Sequence, residues 1–174
     1  MTRSKAFSLL VAIPVLLMGI ACSSRNANTY QDSVKVGLEQ ADIKDLTVSE
    51  DVDENTITLG GTVHSDEKKR EASDVAQANA GPRLIVNELS VQPLGSESEA
   101  KDIASNLDDG IEKDYKAALI SKGLDKQHIR FDAKNGVLTL HGSVKSSAQW
   151  KEAEQLAQAV PNVQQVANQI DVKR

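Results

Sequence analysis

The chain has 174 residues, 40% hydrophobic and 3% aromatic, with 20 Lys and Arg against 25 Asp and Glu and a formal net charge of -5. That length allows one ordinary domain or two small ones with modest cores, and the acidic balance disfavours general nucleic-acid binding, which needs surplus cations to neutralise phosphates. A single cysteine makes no internal disulfide and no zinc cluster, and no apolar run reaches the ~20 residues of a spanning helix.

Residues 1–21 contain no acid. Arg3 and Lys5 precede an apolar run from Ala6 to Ala21, interrupted by Pro14. A short basic segment, an apolar stretch of roughly 15 residues and a small-residue end form a secretory signal. Met18-Gly19-Ile20-Ala21-Cys22 then puts the lone cysteine directly after a small residue, followed by the polar stretch Ser23 to Thr29. This resembles a bacterial lipobox, although Gly19 stands where that motif usually has Leu. The resemblance implies that Cys22 is the lipidated N-terminus of the mature chain, with 22–29 as its tether; several acyl chains anchor stably where one is marginal. Removing residues 1–21 takes away Arg3 and Lys5 and leaves a net charge of -7.

The mature chain is one unit written twice. An offset of 81 positions lays Tyr30–Val91 over Ile111–Val172 without a gap, and Thr58-Leu59-Gly60-Gly61-Thr62-Val63 over Thr139-Leu140-His141-Gly142-Ser143-Val144. The apolar register persists in Val34/Tyr115, Leu38/Leu119, Val48/Ile129, Ile57/Leu138 and Leu89/Ile170. Such self-similarity marks a tandem duplication.

Each copy reads as helix, strand, strand, helix, strand. In the second, Ile111, Tyr115 and Leu119 have helical spacing, and Gly123 suits the helix end. Ile129, Phe131 and Ala133 alternate as a half-buried strand, and Asn135-Gly136 is a favoured two-residue hairpin turn. Ser146 with Gln149 predicts a capping box before a helix whose apolar stripe is Ala153, Leu156, Ala157 and Val160. Val166, Asn168, Ile170 and Val172 close the unit. The predicted fold class is α+β: two tandem αββαβ domains, 30–92 and 109–174, each a small three-stranded sheet packed by two helices. Residues 93–108 form a polar linker, of which 101–108 can extend the next helix backward through Ala100, Ile103, Ala104 and Leu107. Gly61 and Gly142 sit mid-strand, where glycine is unfavourable; they are read as structural, admitting close helix–strand packing.

The pattern apolar-Thr-Leu-x-Gly-x-Val in Ile57–Val63 and Leu138–Val144, a Glu-Ala helix, and Val163-Gln164-Gln165-Val166-Ala167-Asn168-Gln169-Ile170 resemble the BON domain (bacterial OsmY and nodulation). The first copy keeps only Asn87 and the apolar ends of the last motif. Two such domains behind a lipobox resemble dual-BON envelope lipoproteins. That resemblance implies a non-catalytic, lipid-anchored, periplasm-facing envelope protein that associates with phospholipid or envelope proteins and supports envelope integrity or stress tolerance. Ser23 and Ser24 lack the acidic residue that resembles an inner-membrane retention signal, which favours the outer membrane.

No GxSxG, phosphate loop or dinucleotide fingerprint is present. His64, His128 and His141 have no metal-ligand spacing and read as surface residues. Glu50-Asp51-Val52-Asp53-Glu54 lacks the alternating ligands of a calcium loop and reads as a solvated hairpin tip. No enzyme, cofactor or metal is expected, and no nucleic-acid partner.

The two copies differ in charge. Residues 30–92 hold 6 basic and 13 acidic residues, whereas residues 109–174 hold 10 basic and 8 acidic. Asp45 is replaced by Lys126, Asp53 by Lys134 and Ser49 by Arg130. An anionic phospholipid surface is therefore the expected partner of the second domain. Its candidate contacts are Lys122, Lys126, Arg130, Lys134, Lys145, Lys151 and Trp150. Trp150 is the sole tryptophan and has two readings. Its spacing to Ala153 and Ala157 permits a core role, while its counterpart Lys69 argues for an outward, bilayer-interface role. The alternative function is a periplasmic scaffold whose exposed sheet faces dock envelope or cell-wall assembly factors.

Overall fold

The computed structural model describes residues 29–173. The expected signal peptide, Cys22 and the expected tether up to residue 28 lie outside the described residues.

Domain 1 opens with α1 (Tyr30–Gln40), capped by Thr29, whose hydroxyl accepts from the Asp32 N–H. It continues through β1 (Thr47–Asp51), β2 (Thr56–Gly60), β3 (Thr62–Val63), α2 (Asp66–Asn79), β4 (Leu84–Asn87) and β5 (Ser90–Val91). Domain 2 is α3 (Glu97–Ser121), β6 (His128–Lys134), β7 (Val137–Val144), α4 (Ser147–Gln158) and β8 (Gln165–Val172). Each has a three-stranded sheet, β1-β2-β4 or β6-β7-β8, with the middle strand antiparallel to the first and parallel to the last. The two αββαβ units stand as expected, and the short β3–β5 pair extends the first beyond Gly61.

Local chemistry explains the boundaries. Asn135 and Gly136 both take positive φ, 50° and 81°, joining β6 to β7 in a two-residue turn, as right-handed strand twist favours. Gly123 (φ 67°) ends α3. Ser146 accepts from the Gln149 N–H, while the Gln149 side chain reaches back to the Lys145 N–H, one residue earlier than a standard capping box. The linker shrinks to residues 93–96, because α3 starts at Glu97 and runs 25 residues without a break into domain 2.

One core lies between α1, α2 and the first sheet, around Val34, Leu38, Ile57, Leu59, Ala72 and Ala76. The other gathers Ile111, Tyr115, Leu138, Leu140, Ala153 and Ala157. There Tyr115 meets Phe131 edge to face at 5.0 Å and donates its hydroxyl to the Ala153 carbonyl; burial pushes its phenol pKa well above the usual range.

A third apolar cluster joins the domains. Val86, Val137 and Ala167 are buried together, each out of phase with its own domain's core. The outer faces of the two sheets thus meet at this cluster, where β4 lies against β7 and β8. The outer faces of β1 and β6 lie away from this cluster and stay exposed.

Two further expectations change. Glu50 is not part of a solvated tip: its side chain is 7% exposed and pairs with Arg83 at 2.8 Å. Gly61 (φ 120°) and Gly142 (φ 106°) are structural, but the close neighbour is the segment leading into β1 for Gly61 and strand β6 for Gly142, rather than a helix. A Cβ on Gly142 would overlap the His128 carbonyl oxygen, and one on Gly61 would lie 3.3 Å from the Asp45 carbonyl oxygen. Both φ values are in the region that favours glycine.

Candidate functional site

Strand register separates the candidate cations into two groups. His128 opposes Ser143, and Val144 opposes Val172, so the start of β6 and the ends of β7 and β8 share one pole of domain 2. The end of α3 and the start of α4 lead into the same pole. Lys122 caps α3, Lys126 lies in the loop before β6, Arg130 is two residues into β6, and Lys145 sits between β7 and α4. All four are exposed. Lys173, which sequence reasoning passed over, joins them just beyond β8. Among the described residues none of these five forms an ion pair. Asp125, Asp132 and Asp171 are the carboxylates nearby in the chain. Lys151 is exposed one turn into α4.

Lys134 and Trp150 behave differently. Lys134 is at the opposite end of β6 and pairs with Glu88 of domain 1 at 2.8 Å. The hydrogen bond it donates to the Glu88 carboxylate holds its ammonium pKa above the ordinary lysine value. Trp150 is half-buried against the domain 2 core. Its counterpart Lys69 gives no precedent for an outward side chain. That lysine is itself half-buried between the domains, donating to the Asn135 carbonyl at 2.9 Å, and burial lowers its pKa against the opposing pull of Asp66 and Asp108.

Lys134 and Lys69 belong to a polar seam around the apolar cluster. The Gln165 side chain spans the open edge of β4: its amide donates to the Ile85 carbonyl, and its oxygen accepts from the Asn87 N–H at 3.1 Å. It substitutes for a missing strand and closes an edge that would otherwise be free to pair. Asn135 donates to the Glu88 carbonyl at 2.8 Å. Asp108 on α3 accepts from the Asn135 and Gly136 N–H groups at 2.7 and 3.0 Å, fixing the hairpin turn that domain 1 meets. Gln165 and Asp108 carried no sequence signal, since a lone polar residue reveals its partner only after folding. Lys173 did carry one: the 81-residue offset places it over the neutral Gln92.

The remaining chemistry is sparse. His64 and His128 are exposed and His141 half-buried. Among the described residues no three His, Cys, Asp or Glu side chains converge as a metal site, and no helix is long and apolar enough to cross a membrane.

The chain is similar to the osmotically-inducible protein Y of Escherichia coli (strain K12), 28% identical over 202 aligned positions covering 99% of each chain. It also has a slight likeness to the C-terminal domain of CdsD, the structural protein of the type III secretion system of Chlamydia trachomatis. That likeness has a TM-score of 0.35 and 13% identity over 82% of this chain and 96% of the other, too little to carry an argument. Residues 26–93 and 107–174 each match the BON domain, and the chain therefore belongs to the BON-domain family.

Proposed function

We propose that this protein is a non-catalytic, lipid-anchored envelope protein that associates with anionic phospholipid mainly through domain 2, in support of envelope integrity or stress tolerance. The observation that carries this reading is the unpaired basic pole. Lys122, Lys126, Arg130, Lys145 and Lys173 correspond in domain 1 to Ala41, Asp45, Ser49, His64 and Gln92, none of them Lys or Arg. Anionic headgroups attract each Lys or Arg near the surface by about 1 kcal/mol. Three engaged side chains therefore give weak binding, which an anchor at Cys22 raises by holding the pole beside the bilayer. The relative's name supports a part in osmotic stress, and the lipobox supports an envelope address with the outer membrane favoured.

Co-sedimentation of residues 23–174 with vesicles tests the lipid contact. Binding is expected to vesicles containing phosphatidylglycerol and not to pure phosphatidylcholine, with release as salt shortens the screening length. Equal binding to both, or no effect of salt, ends this reading. The second reading is a protein partner. It is favoured by Ile103 and Leu107 on α3, exposed at 60% and 44% in an acidic stretch that anionic lipid would repel.

A further inference from the structure

The basic pole is also concave. A cleft of about 550 Å³ opens on the outer face of the β6-β7-β8 sheet, lined among others by Gln127, His128, Arg130, Ser143, Asp171 and Lys173. Its layout follows from register. His128, Ser143 and Asp171 form one cross-strand row, Arg130 is the next residue on the same face of β6, and Lys173 the next beyond Asp171. Ser143, only 8% exposed, makes the floor. Gly142 allows this shape: without a Cβ it lets the His128 carbonyl close in, drawing β6 and β7 together beneath the cleft.

The lining is rich in hydrogen-bond donors. A guanidinium, an ammonium, a carboxamide, an imidazole and a hydroxyl face a single carboxylate, and neither Arg130 nor Lys173 has an ion-pair partner among the described residues. A planar guanidinium matches two phosphate oxygens at once, and an ammonium adds a point charge. In domain 1 the equivalent positions are Leu46, Thr47, Ser49, Thr62, Ser90 and Gln92, with no charge among them. This chemistry therefore arose in one copy of a shared fold.

We propose that this cleft is a phosphoryl-binding site, with Arg130 forking onto the phosphate oxygens, Lys173 neutralising the charge and Ser143 donating from the floor. It rests on the membrane reading only for the source of the phosphate: a glycerophospholipid headgroup is one source and a free phosphate ester the other. The volume accommodates a phosphodiester together with its glycerol.

The test uses residues 23–174, which hold both folded units intact, in two arms. In solution, inorganic phosphate and glycerol 3-phosphate are titrated while backbone amides are followed by NMR; shifts concentrated at Gly142, Ser143 and Lys173 are expected. On phosphatidylglycerol vesicles, R130Q/K173Q is expected to weaken binding at low salt by clearly more than the about thirtyfold that the loss of two surface charges alone gives. Arg130→Lys, which keeps the charge and loses the fork, is expected to weaken it about fivefold. Asp171→Asn, removing the opposing carboxylate, is expected to tighten it severalfold. K122Q/K126Q removes two charges from the same pole outside the cleft and controls for charge alone.

Cleft shifts that Arg130→Lys abolishes, without vesicle binding by the wild type, would uphold the site with a soluble ester and end the membrane reading. Vesicle binding with no cleft shifts, an Arg130→Lys variant equal to wild type, and R130Q/K173Q no worse than K122Q/K126Q would overturn the site while leaving the membrane reading intact. Loss in both arms would end both.

Discussion

The two domains solve one structural position in opposite ways. In domain 1, Glu50 on β1 reaches inward to Arg83 and accepts the Gln31 N–H, and Arg83 lies over the Tyr30 ring at 5.5 Å. In domain 2 the counterpart of Glu50 is Phe131, packed on Tyr115, and the counterpart of Arg83 is Gln164. One copy closes its sheet edge with a buried ion pair and the other with an aromatic pair. The difference teaches that the BON fold specifies volume and strand order, while the polarity at this edge is free to drift provided that each buried charge keeps its partner.

Substitutions at paired positions sharpen this comparison. The largest contrast is expected at the glycines. Gly142→Ala forces a Cβ onto the His128 carbonyl and should cost about 4 kcal/mol, whereas Gly61→Ala meets looser neighbours and should cost about 1–2 kcal/mol, chiefly from its positive φ. Urea denaturation of both variants measures the gap; equal losses would mean that the strand approach is not what requires Gly142.

Next is the ion pair. Glu50→Leu alone leaves Arg83 without its carboxylate in a half-buried site and should destabilise by about 3 kcal/mol. The double change E50F/R83Q, which imports the residues of domain 2, should recover most of that. A double variant as unstable as the single one would show that the edge depends on charge in a way that domain 2 does not share.

The seam offers an effect transmitted between domains. Gln165→Ala alters domain 2 yet strips partners from Ile85 and Asn87 in domain 1, at a cost of about 2 kcal/mol. Hydrogen exchange should accelerate at the Asn87 amide more than at amides of β7. Unchanged exchange at Asn87 would mean that the β4 edge does not rely on domain 2.

The smallest effect is electrostatic. Lys134 gains a raised pKa from Glu88, so its charged form is favoured on folding. The contribution is fully present below the ordinary lysine pKa of about 10.4 and fades as pH rises through the higher folded value. For a side chain this exposed it is less than about 1 kcal/mol. Wild type and Lys134→Gln should therefore differ slightly at neutral pH and converge in strong alkali; a gap that widens with pH would contradict the pairing.

The sequence by itself determined the duplication, the αββαβ order, the hairpin turn and the core, because these follow from local periodicity, turn chemistry and the 81-residue offset. It also exposed the charge difference between copies, which requires only counting. Tertiary structure decided what depends on neighbours distant in the chain. Val86 and Ala167 look like outward positions until the second sheet covers them, and Trp150 had two readings until its packing was seen. Lys134 counted among free cations until Glu88 took it, and Lys173 joined the basic pole only through the register of β8 with β7. A one-dimensional pattern tells which face of a strand a side chain is on, but what meets that face depends on how two sheets dock, and no local spacing encodes that.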